Sequence, residues 1–325
     1  MTLPDIARCA AFTLLLTGCN KNTSPSSSVD TPVTPVSTEV VEDTTIVPVP
    51  AWQEHWGEHI QLITRKFYSK HLSVYFDKDV KTTITWPFTY LDSAWQYTKK
   101  TYGLFGKDPH LYAIFHAGRY SGGHPSTFFD ESHDYRNVID CGADDANAWV
   151  TGVGNDIDLT THEIGHIVEG ASRATHNSPA FVLWQDSKWM EIYQYDVYLG
   201  LGRKADAQRW EAMMVADSHS DNFPQANTHW FRDWWLPVYN QYGGTKVLSN
   251  YFLLLSKYFP SKTLEDGTKE YTRDMNWGEF IHFWSGAAGV NLKTQATKAF
   301  GWPDTWEIQF KKAQIAFPDI TYSNQ

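Results

Sequence analysis

The chain has 325 residues, room for about two domains of roughly 150 residues each, or for one large domain with two lobes. Hydrophobic residues make up 42% of it, enough for a sizeable core, and a net charge of −10 with no block of Lys and Arg argues against a nucleic-acid binder. No apolar run reaches the ~18 residues that a membrane-spanning helix needs, and no internal repeat is visible.

Reading from the N-terminus, Ala10 to Thr17 is a short apolar stretch, preceded by Arg8 and followed by Gly18 and Cys19. That length suits the core of a signal peptide and is too short for a span. Leu16-Thr17-Gly18-Cys19 resembles a bacterial lipobox, which implies that Cys19 is lipidated and that residues 1–19 are a lipoprotein signal. The implied location is extracytoplasmic, anchored to a bacterial membrane on the periplasmic side or at the cell surface. Residues 20–50 are rich in Ser, Thr, Pro and Val without a periodic apolar face, and read as a tether. With Cys9 in the signal and Cys19 lipidated, Cys141 stands alone and no intramolecular disulfide is expected.

Folded sequence starts near Trp52. Trp52, Trp56, Ile60 and Ile63 recur at helical spacing and predict a first helix over 52–65. Strands are expected at 72–76, 111–116 and 137–140, with a further one at 149–154. A helix is expected over 89–102, and residues 118–126 read as a loop. From residue 155 onward the pattern is helical: 158–171, 185–200, 205–216, 228–242, 244–258, 276–287, 291–299 and 304–316. The expected class is α+β, with an N-terminal α/β lobe over 51–155, a mainly helical lobe over 156–325 and a cleft between them.

The border carries His162-Glu163-Ile164-Gly165-His166, an HExxH motif. Two His at i and i+4 project from one helix face and can bind one Zn²⁺, while Glu163 is placed to act as general base. Ile157, Thr161, Ile164 and Val168 make the stripe to be buried, and His162, Glu163 and His166 lie on the other side. Asp156 or Asp158 is expected to cap the helix start.

A catalytic zinc takes three protein ligands plus water. Metzincins continue HExxH with Gly and then His or Asp at positions that here hold Glu169 and Ser172, which excludes them. Glu169 is expected near the ligands without binding the metal. The third ligand is assigned to Glu191, with Asp186 and His176 as alternatives. HExxH followed by a Glu on the next helix resembles the gluzincins, the thermolysin-like clan of zinc metallopeptidases. More loosely, the HExGH form and the stretch from Gly286 to Trp302 are similar to enhancin-type, mucin-degrading metallopeptidases and to plant basic secretory proteins.

That resemblance implies a zincin-like fold with the active-site helix between the lobes, and zinc-dependent hydrolysis of extended polypeptide or glycoprotein substrates. It also implies an acidic residue bonded to the first His, a role given to Asp196. His219, His229, Tyr239 and Tyr242 are possible stabilisers of the oxyanion, and none is assigned. Two alternatives stay open: a non-catalytic glycan- or protein-binding lipoprotein on the same scaffold, and a zinc-dependent amidase acting on cell-wall or glycan conjugates.

Two lesser signals complete the reading. The acidic run Asp130, Glu131, Asp134, Asp140, Asp144 and Asp145 is a weak candidate for Ca²⁺. The 15 Trp residues fit core packing or, as the sharper reading, a sugar-stacking platform; Trp230, Trp234, Trp235, Trp277 and Trp284 are the test cases.

Overall fold

The computed structural model describes residues 41–216 and 228–324. Cys19, the tether up to residue 40 and His219 lie outside the described residues. No described helix is long and apolar enough to cross a membrane.

The first elements are β1 (Ala51–Gln53), β2 (Leu62–Tyr68) and β3 (Leu72–Phe76), followed by α1 (Trp86–Tyr102). Then come β4 (Leu111–Ala117), β5 (Arg119–Ser126) and β6 (Asn137–Ala143). They form one six-stranded mixed sheet in the order β1-β2-β3-β4-β6-β5. Strand β3 and strand β4 are buried along their whole length, as central parallel strands covered on both faces should be.

The expected helix over 52–65 is instead β1, a loop and β2. Trp52, Trp56 and Ile63 pack with Tyr75, Tyr112, Ile114 and Val138 on one face of the sheet, so helical spacing there came from residues that cover a flat surface. The loop expected over 118–126 is the edge strand β5, whose Gly122, Gly123 and Pro125 weaken its sequence signal. The strand expected at 149–154 is irregular, with Trp149 buried at φ 66°.

On the opposite face α1 and α2 (Asn155–Ala171) pack against the sheet, and α3 (Phe181–Gly200), α4 (Lys204–Ala216), α5 (Leu236–Gln241) and α6 (Thr245–Tyr258) follow in the helical half. They are followed by α7 (Trp277–Ala288), α8 (Lys293–Phe300) and α9 (Asp304–Ala316). A π-helical turn over Trp230–Trp235 precedes α5, and β7 (Thr175–His176), β8 (Ser261–Thr263) and β9 (Lys269–Tyr271) make a small second sheet. The fold is α+β as expected. A single core cluster runs from Leu72 to Ile320, so both halves of the chain share one interior.

Trp230, Trp234, Trp235, Trp277 and Trp284 are all buried in that interior, and Trp284 stacks on Tyr251 at 4.1 Å between ring centroids. These rings are core, as the packing reading has it, and do not form a sugar-stacking platform.

Candidate functional site

The chain enters α2 through Gly154, a residue with φ 58° at the N-cap. The capping expected of Asp156 or Asp158 does not occur. Asp156 turns back to accept from the Thr151 and Gly152 N–H groups, and Asp158 is held by Arg209 (2.6 and 2.8 Å) and by the Tyr198 hydroxyl (2.6 Å). Both still place negative charge at the positive end of the helix dipole.

Ile157, Thr161, Ile164 and Val168 are buried, as the stripe predicts; of the motif, His162 and His166 are half-buried and Glu163 is buried too. The His162 and His166 rings lie edge to face with centroids 4.9 Å apart. Burial, reinforced by His166, holds His162 near pKa 4, so it is neutral and its ring nitrogens are available as ligands. Burial, partly opposed by His166 and aided by Asp140, raises the Glu163 carboxyl to about 7. Its Oε2 is buried without a hydrogen-bond partner.

Strand β5 runs directly against this carboxylate. A methyl group on Gly123 would sit 2.5 Å from Glu163 Oε1, so only glycine leaves room for the Glu163 side chain there. Each ligand histidine also has a polar neighbour. Glu169, buried and holding Ser178 Oγ and Trp184 Nε1 as donors, lies 3.6 Å from His166 Nδ1. Gln194 lines the same recess as His162 and donates from Nε2 to the Asp158 carbonyl at 3.1 Å.

Helix α3 crosses α2 at Gly165, where an added Cβ would come within 3.0 Å of Tyr193 and 3.1 Å of Met190. Trp189 Nε1 donates to the Gly165 carbonyl while Gln194 reaches Asp158, so the helices run antiparallel and Glu191 falls level with His162. Its Oε1 accepts from Lys188 Nζ at 3.0 Å. The three assigned ligands do not form a group with all ligand atoms mutually within 4.8 Å; among the described residues that spacing is met by Glu54, His59, His116 and Asp140. Asp186 is exposed, and His176 stacks on Phe129 in the small sheet.

Asp196 is corrected. It is fully buried and accepts from Tyr102 (2.7 Å), Tyr239 (2.9 Å) and Thr245 (2.6 Å), and none of its hydrogen bonds goes to His162. The residue beside the first histidine is Gln194, three positions after Glu191 where Asp196 is five. One helical turn faces the same way and five residues do not. Tyr239, spent on Asp196, is likewise part of the core.

Recesses open on both flanks of the motif. One, of about 420 Å³, is lined by His162, Glu163, Gln194, Arg209 and Trp210. The other, of about 700 Å³, is lined by His166, Glu169, Pro125, Phe181 and Arg273. The acidic run of the sequence does not converge. Asp130 caps a short 3-10 turn, Asp134 takes Trp52 and His55, and only Asp140 joins a ligand-like group. That group contains two His, which does not suit Ca²⁺.

No protein-family model matches the chain, and no curated protein matches it. Among solved structures it is similar to a functionally unknown conserved protein from Bacillus anthracis, with 14% identity and a TM-score of 0.49 over 78% of this chain and 54% of that one. It is also similar to an M1 zinc metallopeptidase from Deinococcus radiodurans, with 10% identity and a TM-score of 0.44 over 78% of this chain and 52% of that one. The likeness is distant, and the chain spans about half the length of either structure.

Proposed function

We propose that this protein is a zinc-dependent metallopeptidase that hydrolyses extracytoplasmic proteins, glycosylated ones included. The observation that carries the reading is the buried, partnerless Oε2 of Glu163 beside His162 and His166 on one helix face. A buried carboxylate oxygen without a donor is costly in a core and useful where a water must be activated.

His162, His166 and Glu191 are the residues that would hold the zinc, and the ion would polarise the scissile carbonyl. Glu163 takes the proton from the attacking water and passes it to the leaving amine. Glu169, 3.6 Å from His166 Nδ1, and Gln194, in the recess beside His162, are placed to orient the two rings once the metal is bound. Among the described residues the outer edge of β5 has no neighbouring strand, so an extended peptide adding there would lie across Glu163 and reach both recesses.

The glycan-binding alternative drew on the aromatic excess, and the Trp residues that suggested it are core. The test is hydrolysis of a denatured-protein panel with and without chelator. Activity lost to chelation, restored by Zn²⁺ and reduced at least tenfold in Glu191→Gln supports the reading; hydrolysis indifferent to chelator overturns it.

A further inference from the structure

We propose that Glu54, His59, His116 and Asp140 form a second metal site, a closed four-ligand site for a divalent transition metal such as Zn²⁺. It lies on the sheet face opposite α2. His124 pairs with Asp140 on this face, and the next pair along, Gly123 with Cys141, faces Glu163.

The four donor atoms converge. His116 Nε2 is 2.8 Å from Glu54 Oε1 and 3.1 Å from Asp140 Oδ1, and His59 Nδ1 is 2.9 Å from Asp140 Oδ2 and 3.8 Å from Glu54 Oε1. A tetrahedral zinc with ligands at about 2.1 Å separates its donors by about 3.4 Å, inside that range. These contacts are close without being hydrogen bonds: Glu54 Oε1, His59 Nδ1, His116 Nε2 and Asp140 Oδ1 are each buried with no partner of acceptable geometry. A proton between any two of them serves that pair alone, whereas one cation serves all four.

The remaining atoms are held as a metal site requires. His116 Nδ1 faces Asp77 at 3.2 Å, and Asp77 is fixed by the Asp79 and Val80 N–H groups, which turns Nε2 toward the other donors. The Gln61 N–H donates to Glu54 Oε2 at 2.8 Å, and Trp56 Nε1 donates to Asp140 Oδ2 at 3.0 Å. The His59 ring stacks on Tyr120 at 3.7 Å.

The side chains of Glu54, His116 and Asp140 have no exposure at all, so each buried carboxylate needs a positive partner. As metal ligands the two imidazoles would be neutral, so the two carboxylates would balance one divalent ion, and a half-nitrogen donor set selects a transition metal over Ca²⁺ or Mg²⁺. With four protein ligands the site is structural. It ties the segment between β1 and β2 to β4 and β6, behind the wall that Glu163 faces.

The inference does not rest on the peptidase reading, and its test separates the two. Zinc per full-length chain is measured by mass spectrometry after loading and dialysis, in wild type, in the His162→Ala/His166→Ala double variant, in Asp140→Asn and in His59→Ala. The expected counts are two, one, one and one, with X-ray absorption of the double variant reporting nitrogen and oxygen ligands and no sulfur. His59 sits at the rim, so its variant reads the site even if Asp140→Asn fails to fold, with circular dichroism as the check on folding. A double variant that keeps one zinc and loses it on adding His59→Ala supports the site whatever becomes of HExxH. A double variant holding no zinc, or a folded His59→Ala with the wild-type count, overturns it.

Discussion

At the scale of single residues, Gly123 and Glu163 are matched by shape. Gly123→Ala places a methyl within van der Waals overlap of the Glu163 carboxylate and displaces it. The expected result is a drop in kcat of about tenfold or more with little change in melting temperature, since misplacement of a catalytic group is costly while an edge strand tolerates a methyl. Wild-type kcat in Gly123→Ala would show that Glu163 does not work from this position. Asp196 is the contrasting case. Asp196→Ala strands three hydroxyls in the core and should destabilise the fold by about 3 kcal/mol in denaturant titration, with zinc affinity unchanged. A selective loss of zinc affinity would return Asp196 to the role the sequence first suggested. HExxH was legible because its meaning is local, two rings one turn apart. Gln194, Gly123 and the partner of Asp196 were not, because each depends on which element lies alongside.

Among the elements, the helices of the second half follow their sequence periods closely; α9, for instance, occupies Asp304–Ala316, the span predicted for it. The misreadings cluster at the sheet margins, where β5 carries glycines and a proline and the Trp52–Ile63 segment covers a face rather than winding. Helix crossings were also illegible. An added Cβ on Gly278 would sit 2.2 Å from the Phe310 backbone nitrogen, so α7 and α9 cross through that glycine. Gly278→Ala should lower unfolding free energy by about 2–3 kcal/mol, because backbone cannot step aside as a side chain does. Unchanged denaturant midpoints would mean that the crossing is looser than described. Neither Glu54 nor His59 stood out in the sequence, since residues 54, 59, 116 and 140 meet only through the strand order β1-β2-β3-β4-β6-β5.

For the whole molecule, buried neutral histidines set the acid limit. Burial, and then the neighbouring His124, lower His133 to about 4; burial lowers His282 in the same direction. The unfolded chain therefore takes up these protons first. Their contribution to stability is fully present above about pH 6.5 and is lost as the pH falls toward 4. Hydrogen bonds from His110 and Tyr112 outweigh burial to hold Asp108 below its usual range, extending the loss to still lower pH. Calorimetry should show the melting temperature falling between pH 7 and 4.5, with a shallower fall in His133→Gln. An identical slope in that variant would exclude His133 as a cause.

In the N-terminal sequence, the lipobox reading of Leu16 to Cys19 makes its own prediction: Cys19→Ala moves the protein from the membrane to the soluble fraction on cell fractionation, and retention in the membrane would refute lipidation. The central claim is that Glu163 activates water for peptide hydrolysis at a zinc held by its helix. Its most direct measurement is the rate of peptide-library cleavage by zinc-loaded wild type and Glu163→Gln, with metal content read on the same samples. The account predicts equal zinc in both and a rate at least about 10²-fold lower in the variant. Equal rates at equal zinc would contradict it.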